Sequence, residues 1–511
     1  MSFRPISVSL SQRMSDTLAY NKLIAELRRL DRLGSIGGLL GWDEMVNLPK
    51  DSADYRAEQN AHFAALLHRE STSPALSQLI GESESQSDAL DTPQRTVVEW
   101  ARRDYDRATK LPKAFVEEKA EARSHSYHAW VEAREKNRFD LFEPHLSKQV
   151  ELAKREAAYI APDREPYDYW LDQFDPDLDQ ATLEPLFSGL KDSLVPLVST
   201  ILESDKKPPQ GLFKSFPVPA QKAFLSQVVG ALGFNFDRGR IDASVHPFCG
   251  GNGADTRMTT RFDEDNPLDS LFSSIHETGH ALYEQGLPRD HFGTALGEAV
   301  GMAVHESQSR IWENQVARSR EFWHYWEPQF RAAFSDPLQA VNSEDLFRAI
   351  NAVELNPIRV DSDEVTYNLH IILRFEMEKG LFSGEFPISE LPAVWNQKSS
   401  EIIGLTPTND AQGVLQDVHW SEGLFGYFPS YCLGNMLAAQ LWEKAQLSLP
   451  GLLTEFRQGR TESLLSWLRE TIHQHGKQFN TQQLTQKSTG KPLSYQPLIN
   501  YLKERYLPLY T

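Results

Sequence analysis

"SSIHETGHALYEQG", residues 273–286, holds His276, Glu277 and His280 in the spacing H-E-x-x-H. Leu268, Leu271, Phe272, Ile275, Gly279 and Leu282 recur around it at helical intervals, so the stretch predicts a helix with one buried stripe. Asp269 or Ser270 is expected to cap its start. Residues four apart lie one turn apart on one face, so the two imidazoles can converge on a single ion. Glu277 is offset by one residue, where it is better placed to hold the attacking water than to bind the ion. The alternative is a chance pattern among 15 histidines in 511 residues, and the apolar stripe beside the two histidines weighs against it.

A catalytic zinc keeps three protein ligands and one open position. The chain has only two cysteines, Cys249 and Cys432, and no third histidine at short spacing, so a glutamate from a following helix is the natural third ligand. Residues 293–315, "GTALGEAVGMAVHESQSRIWENQ", read as one helix carrying Glu298, Glu306 and Glu313, with Gly297 and Gly301 allowing close packing. Ala299, Ala303 and Glu306 share a face, and Glu306 is the chosen ligand. Glu298 and Glu313 are assigned to helix-surface contacts or to contacts behind the ligands. A His2Glu site takes Zn²⁺, with Co²⁺ or Mn²⁺ also acceptable.

Elsewhere helical periodicity dominates, as in Leu23, Ile24, Leu27, Leu30 and Leu33, or Val97, Trp100, Ala101 and Tyr105. Residues 92–160 read as two or three long helices. "FPVPAQ" (216–221) and residues 239–263, broken by Gly250, Gly251 and Gly253, are the candidates for short strands or loops. "GESESQSDALDTP" (81–93) reads as a polar surface loop. No repeat or long linker divides the chain, so a mainly α single unit over 1–511 is expected. Hydrophobic residues at 40% and aromatics at 11% supply a core and exclude global disorder. A net charge of −19 disfavours nucleic acid and anionic lipid as partners. Two cysteines exclude a disulfide framework. The N-terminal "MSFRPISVSLSQRMSDTL" has no signal-type apolar segment, and no stretch reads as a membrane span. A cytoplasmic location is therefore expected.

The pair HETGH and HESQSR resembles the thermostable carboxypeptidase (carboxypeptidase Taq) family of metallocarboxypeptidases. Further blocks carry the same resemblance: "GLLGWDEMVNLP" (38–49), "YDYWLDQFDP" (167–176), "HPF" (246–248), "DTRMTTRF" (255–262), "PIRVDSDEVTYNLHIILRFEME" (357–378), "GVLQDVHWSEGLFGYFPSYCLGN" (413–435) and "PLINYLKERY" (497–506). The resemblance implies a large helical gluzincin-type fold, similar to neurolysin-type and angiotensin-converting-type peptidases. It implies a deep groove between two lobes, N-terminal helices covering that groove, a catalytic core at about 240–440, and a homodimer. It implies removal of single residues from peptides with a free C-terminus, with broad specificity and little action on proline. It also implies His276, His280 and Glu306 as metal ligands and Glu277 as general base. Two small departures, "WDE" at 42–44 where the family has WDQ and "DPD" at 175–177 where it has EPG, touch none of these positions.

Acting at a C-terminus requires a cation for the free carboxylate, best a bidentate arginine. Arg359 in "PIRVDSD" is the choice, in agreement with the resemblance; the structural alternative is that it only pairs with Asp361 or Asp363. Arg257 and Arg261 are runners-up. His419 and Tyr431 match the family's donors to substrate and oxyanion, with Tyr427 competing for the second role. His246 is a substrate-groove or structural residue. Tyr367 and His370 are expected behind the reacting groups or in the core, and the 42–44 segment in helix packing. Cys249 and Cys432 flank "HPF" and Tyr431, so thiol reagents are expected to inhibit. The rival readings are an endo-acting oligopeptidase, which would accept amidated peptides, and a non-catalytic peptide-binding protein. The second is disfavoured by the complete ligand set and Glu277.

Overall fold

Helices carry nearly all of the regular structure, as the periodicity predicts. The structure, a computed structural model, describes residues 18–244 and 246–511. The expectation of no signal-type segment concerns residues 1–17, outside the described residues. Among the described residues no helix is long and apolar enough to cross a membrane.

The N-terminal part holds α1 (Leu18–Val46), α2 (Ala53–Ser71) and α3 (Pro74–Ser85). Residues 92–160, expected as two or three long helices, form three: α4 (Thr92–Lys110), α5 (Lys113–Lys136) and α6 (Glu143–Ile160). Next come α7 (Pro166–Phe174), α8 (Gln180–Leu202) and α9 (Val218–Ala231). Residues 239–260 then supply three short strands: β1 (Gly239–Ala243), β2 (Cys249–Asn252) and β3 (Asp255–Thr260). The order is β1-β3-β2, with β1 parallel and β2 antiparallel to β3. Gly251 makes the tight return possible, because at φ +98° a Cβ would lie 2.0 Å from the Asp255 carbonyl oxygen.

The C-terminal half begins with α10 (Pro267–Gly286) and α11 (Met302–Arg310), which runs into a π-helical turn at Ile311–Val316. It continues through α12 (Arg320–Ala333), α13 (Ser335–Leu338), α14 (Ser343–Ile350), α15 (Tyr367–Ser383) and α16 (Leu391–Ile402). It ends with α17 (Pro429–Ser448), α18 (Leu452–Phe456), α19 (Glu462–Thr471), α20 (Thr481–Thr489) and α21 (Gln496–Tyr510).

The main core draws on α5 to α21, whereas a separate cluster of Leu23, Leu76, Ile80, Leu90, Val98 and Ala101 holds α1, α3 and α4 together. Trp42 joins α1 to the sheet, with the guanidiniums of Arg240 and Arg257 lying 5.0 and 4.7 Å from its ring. The 42–44 segment is therefore a packing element, and Asp43 pairs with Arg56 at 2.7 Å.

Four local expectations are corrected. Residues 216–221 enter α9, with Pro219 in the first turn, where its missing N–H costs nothing. Of residues 81–93 only 86–91 form a connecting turn, the rest being the end of α3 and the start of α4, and Asp91 caps α4 in a reciprocal pair with Gln94. Neither Asp269 nor Ser270 caps α10: Asp269 takes an ion pair from Arg261 at 2.6 Å, and the Ser270 hydroxyl donates to Gln221 at 2.6 Å. Residues 293–315 are not one helix, because the chain is extended at Glu298 and Gly301 before α11 begins.

Candidate active site

Helix α10 carries His276, Glu277 and His280, and α11 carries Glu306. Two glycines let these elements meet. A Cβ on Gly279 would lie 2.4 Å from the Gln308 carbonyl oxygen, so only glycine permits the contact between α10 and α11. A Cβ on Gly434 of α17 would lie 2.5 Å from Glu306 Cγ. As a result the ring nitrogens and the carboxylate converge. His276 Nε2 lies 3.2 Å from His280 Nε2, and Glu306 Oε2 lies 3.6 and 3.5 Å from those two atoms. Ligands bonded at 2.0–2.1 Å in a tetrahedron stand about 3.3 Å apart. The three donors therefore fit a small divalent cation such as zinc, and these residues together could hold one.

The donors are held from behind. Glu313 Oε2 accepts from His276 Nδ1 at 2.8 Å, which turns Nε2 toward the other ligands. Arg310 donates to Glu306 Oε1 at 2.6 Å and to Glu313 Oε2 at 3.0 Å, binding both carboxylates with one guanidinium. The π-helical turn places Glu313 in this position, and Arg505 of α21 donates to its Asn314 and Gln315 carbonyls. The His280 ring stacks on His305, 4.5 Å between centroids, and His305 is held by Glu284 at 2.9 Å.

Burial and charge set the protonation states. Burial, with His305 adding to it, pushes His280 down to about 3, so its imidazole is neutral, the form that binds metal. Burial works against Glu306 and Glu313, yet Arg310 together with the neighbouring histidines, and Arg318 at Glu313, outweighs it: Glu306 lies well below the ordinary carboxylate range and Glu313 is held at about 2. Burial lowers His276, but Glu306 and Glu313 more than compensate and its pKa is raised. Among the described residues Glu277 has no such arginine; burial, helped by Glu306 and Glu313 and only partly opposed by His276 and His305, pushes it up to about 7.

A second cluster joins this one through Tyr367, over whose ring Arg310 lies at 4.7 Å. Arg359 donates to the Tyr367 hydroxyl at 2.9 Å. Its acidic partner is neither Asp361 nor Asp363 but Asp417, at 3.0 Å from Nε and 2.8 Å from Nη2. Arg374 binds the other oxygen of Asp417 at 2.7 Å. Two guanidiniums thus share one buried carboxylate. Tyr431 lies 5.2 Å from the Arg359 guanidinium, with Tyr427 5.3 Å from Tyr431 and His419 5.4 Å from Tyr427. Burial pushes His419 down to about 4, and its buried Nδ1 has no partner among the described residues.

The comparisons with known proteins agree across the chain. The family model described as carboxypeptidase Taq (M32) metallopeptidase matches residues 22–506. The chain belongs to the carboxypeptidase Taq (M32) metallopeptidase family. It is 40% identical to "Thermostable carboxypeptidase 1" of Thermus thermophilus, over 97% of this chain and 100% of that one. It is 38% identical to "Carboxypeptidase 1" of Bacillus subtilis, over 95% and 97% of the two chains. The crystal structure of the M32 carboxypeptidase from Deinococcus radiodurans superposes with a TM-score of 0.94 at 37% identity, covering 96% of this chain and 99% of that one. The protein is a metal-dependent carboxypeptidase, a peptide hydrolase with the mainly α fold expected.

The other candidates in this M32 peptidase stand beside the two clusters or away from them. His246 is exposed, and its carbonyl rather than its ring binds Ser244. Arg257 pairs with Asp255 at 2.8 Å and Arg261 with Asp269, so both runners-up serve local structure. His370 is buried within α15 behind the second cluster, its carbonyl accepting from Arg374 at 2.8 Å. Cys249 lies close enough to Glu277 for that charge to raise its thiol pKa, behind the larger effect of burial. Cys432 is fully buried and its thiol is also pushed up, which closes it to thiol reagents.

Sequence reasoning passed over Arg310, Arg374 and Asp417 as members of the site. Arg310 carried a signal, its i,i+4 spacing from Glu306. Asp417 carried none toward Arg359, 58 residues away.

Proposed function

We propose that this peptidase removes single residues from peptides with a free C-terminus, using Arg359 as the carboxylate anchor and zinc as the metal. The observation that carries this reading is Asp417 shared between Arg359 and Arg374. One carboxylate cannot neutralise two guanidiniums. A positive charge is left in the cluster that Tyr367 joins to His276, His280 and Glu306 through Arg310, in a chain whose net charge is −19. A free C-terminal carboxylate supplies the missing negative charge.

His276, His280 and Glu306 would hold the cation, which when bound polarises the scissile carbonyl and makes water acidic enough to attack near neutral pH. Co²⁺ or Mn²⁺ would also suit the donors. Glu277 takes the proton from the attacking water and delivers it to the leaving amine. Tyr431 and His419 donate to the oxygen on which negative charge develops, and Tyr427 lies close enough to Tyr431 to share that task or to contact substrate. The exposure of His246 suits a group that meets substrate from solvent. We further read residues 1–511 as one domain with its catalytic core at about 240–440, working in the cytoplasm as a homodimer. The charge and the two cysteines support the compartment, and family resemblance supports the dimer.

The test offers one peptide with a free C-terminus and the same peptide amidated, and reads products by mass. The free peptide is expected to shorten stepwise, the amidated one to persist, and a chelator to stop the reaction. In Arg359→Met, kcat/KM for the free peptide should fall on the order of 10²-fold. Equal cleavage of both peptides by the wild type would instead favour an endo-acting enzyme.

A further inference from the structure

Helices α11 and α17 share an unusual deficiency. Each begins without a side-chain cap of its own: Gly301 precedes α11 and Phe428 precedes α17. Orphan N–H groups at buried helix starts need a partner. For α11 that partner is Asp175, which lies just past the end of α7 and is 1% exposed, and the same carboxylate grips the start of α17 through a side-chain hydroxyl. Asp175 accepts from the Ala303 N–H at 3.0 Å and from the Ser430 hydroxyl at 2.5 Å. The Thr481 hydroxyl, at the start of α20, adds a third bond at 3.1 Å. Three helix N-termini thus converge on one buried carboxylate. Among the described residues no Lys or Arg pairs with it, so the helix dipoles and these donors alone compensate its charge. Gly301 is part of the same construction, because a Cβ there would lie 2.7 Å from Asp175 Oδ1.

The consequence lies one step along each helix. Ala303 is three residues before Glu306, and Ser430 is next to Tyr431. The two helices also touch where Gly434 meets Glu306.

We propose that Asp175 is the positioning residue of this site, a remote shared cap that sets where Glu306 and Tyr431 stand. It touches neither ligand nor substrate and acts through α11 and α17. The inference rests on the proposed roles of Glu306 and Tyr431, so its test carries Glu306→Ala and Tyr431→Phe as controls.

Metal affinity, by competition with a chromophoric chelator, and amide exchange over residues 302–306 in the metal-free protein are measured for Asp175→Asn and Asp175→Ala. Folded Asp175→Ala is expected to bind metal on the order of tenfold more weakly. It should also exchange faster at 302–306, with Asp175→Asn intermediate. Loss of thermal stability with affinity and exchange both within twofold of wild type would reduce Asp175 to a fold residue and overturn the proposal. If Asp175→Ala does not fold, Ser430→Ala replaces it, since that change frees only α17. A lower kcat with unchanged metal affinity supports the proposal, and an unchanged kcat overturns it. If Glu306→Ala binds metal like wild type, or Tyr431→Phe keeps full kcat, the role assigned to that residue is wrong, a result separate from failure of the Asp175 link.

Discussion

Glu277 is the residue whose chemistry depends most on its surroundings. It is 7% exposed, one position from His276, and among the described residues no arginine or lysine pairs with it as Arg310 pairs with Glu306 and Glu313. Burial and those two carboxylates raise it to about 7, the range in which a carboxylate is an effective base near neutral pH. A bound cation favours the charged form and draws this value down. Glu277 works when deprotonated, so activity is lost as pH falls through its pKa. The acid limb of kcat/KM should therefore lie between the ordinary glutamate value of about 4.3 and 7. Glu277→Gln should lower kcat on the order of 10²–10⁴-fold while metal affinity stays close to wild type. A variant that kept full turnover, or an acid limb above pH 7, would remove Glu277 from the base role.

At the scale of elements, the site depends on how closely α10, α11 and α17 approach. Gly279→Ala places a Cβ 2.4 Å from a carbonyl oxygen and 2.5 Å from Ser309 Cα, and backbone cannot yield as a side chain would. The expected cost is about 1–3 kcal/mol, with weaker metal binding as α11 is pushed away. Gly41→Ala in α1 is the control: nothing lies within 4 Å of its Cβ, and helix propensity predicts a gain of about 0.5–1 kcal/mol. Denaturant midpoints for the two variants should move in opposite directions, and equal shifts would show that close approach is not what Gly279 provides.

The same contrast explains what could be read in advance. His276, His280 and Glu306 were legible because local spacing puts them on helix faces, and the long helices between 92 and 160 were legible for the same reason. The break before α11 was not. Gly293, Gly297 and Gly301 weaken a helix there, but Gly297 and Gly301 read equally well as packing contacts, and the Asp175 carboxylate that receives the Ala303 N–H at the start of α11 is one that no local pattern reveals. The π-helical turn was equally hidden, since its freed carbonyls are satisfied by Arg505 from the last helix. Asp417 escaped for a similar reason, because the choice between Asp361, Asp363 and a distant acid is made by tertiary packing.

For the whole molecule, buried ionisable groups set the pH range of the fold. Two sets oppose each other in mildly acidic solution. His280, His370 and His473 are pushed down to about 3 and His419 to about 4, chiefly by burial, so the unfolded chain takes up protons below about 6.5 that the native state refuses, and stability is lost as pH falls. Burial raises Asp175 to about 6 and Glu277 and Glu378 to about 7, so the native state takes up protons before the unfolded chain does, and stability is gained as pH falls toward about 4. Between about pH 6.5 and 4.5 the carboxylates offset most of the histidine loss. Below about pH 4 the balance ends. Asp175 and Glu378 are then protonated in both states. Asp417 and Glu306 remain charged in the fold well below the ordinary range, and Glu313 does so down to about 2. Each proton bound only by the unfolded chain then costs about 1.4 kcal/mol per unit of pH. The denaturant midpoint of the chelated protein should accordingly decline gently from pH 6.5 to 4.5 and several times more steeply below 4. A steep decline already between pH 6.5 and 5 would mean that the buried histidines outweigh the raised carboxylates. A midpoint that held at pH 2.5 would mean that the buried Arg–carboxylate clusters contribute little to the fold.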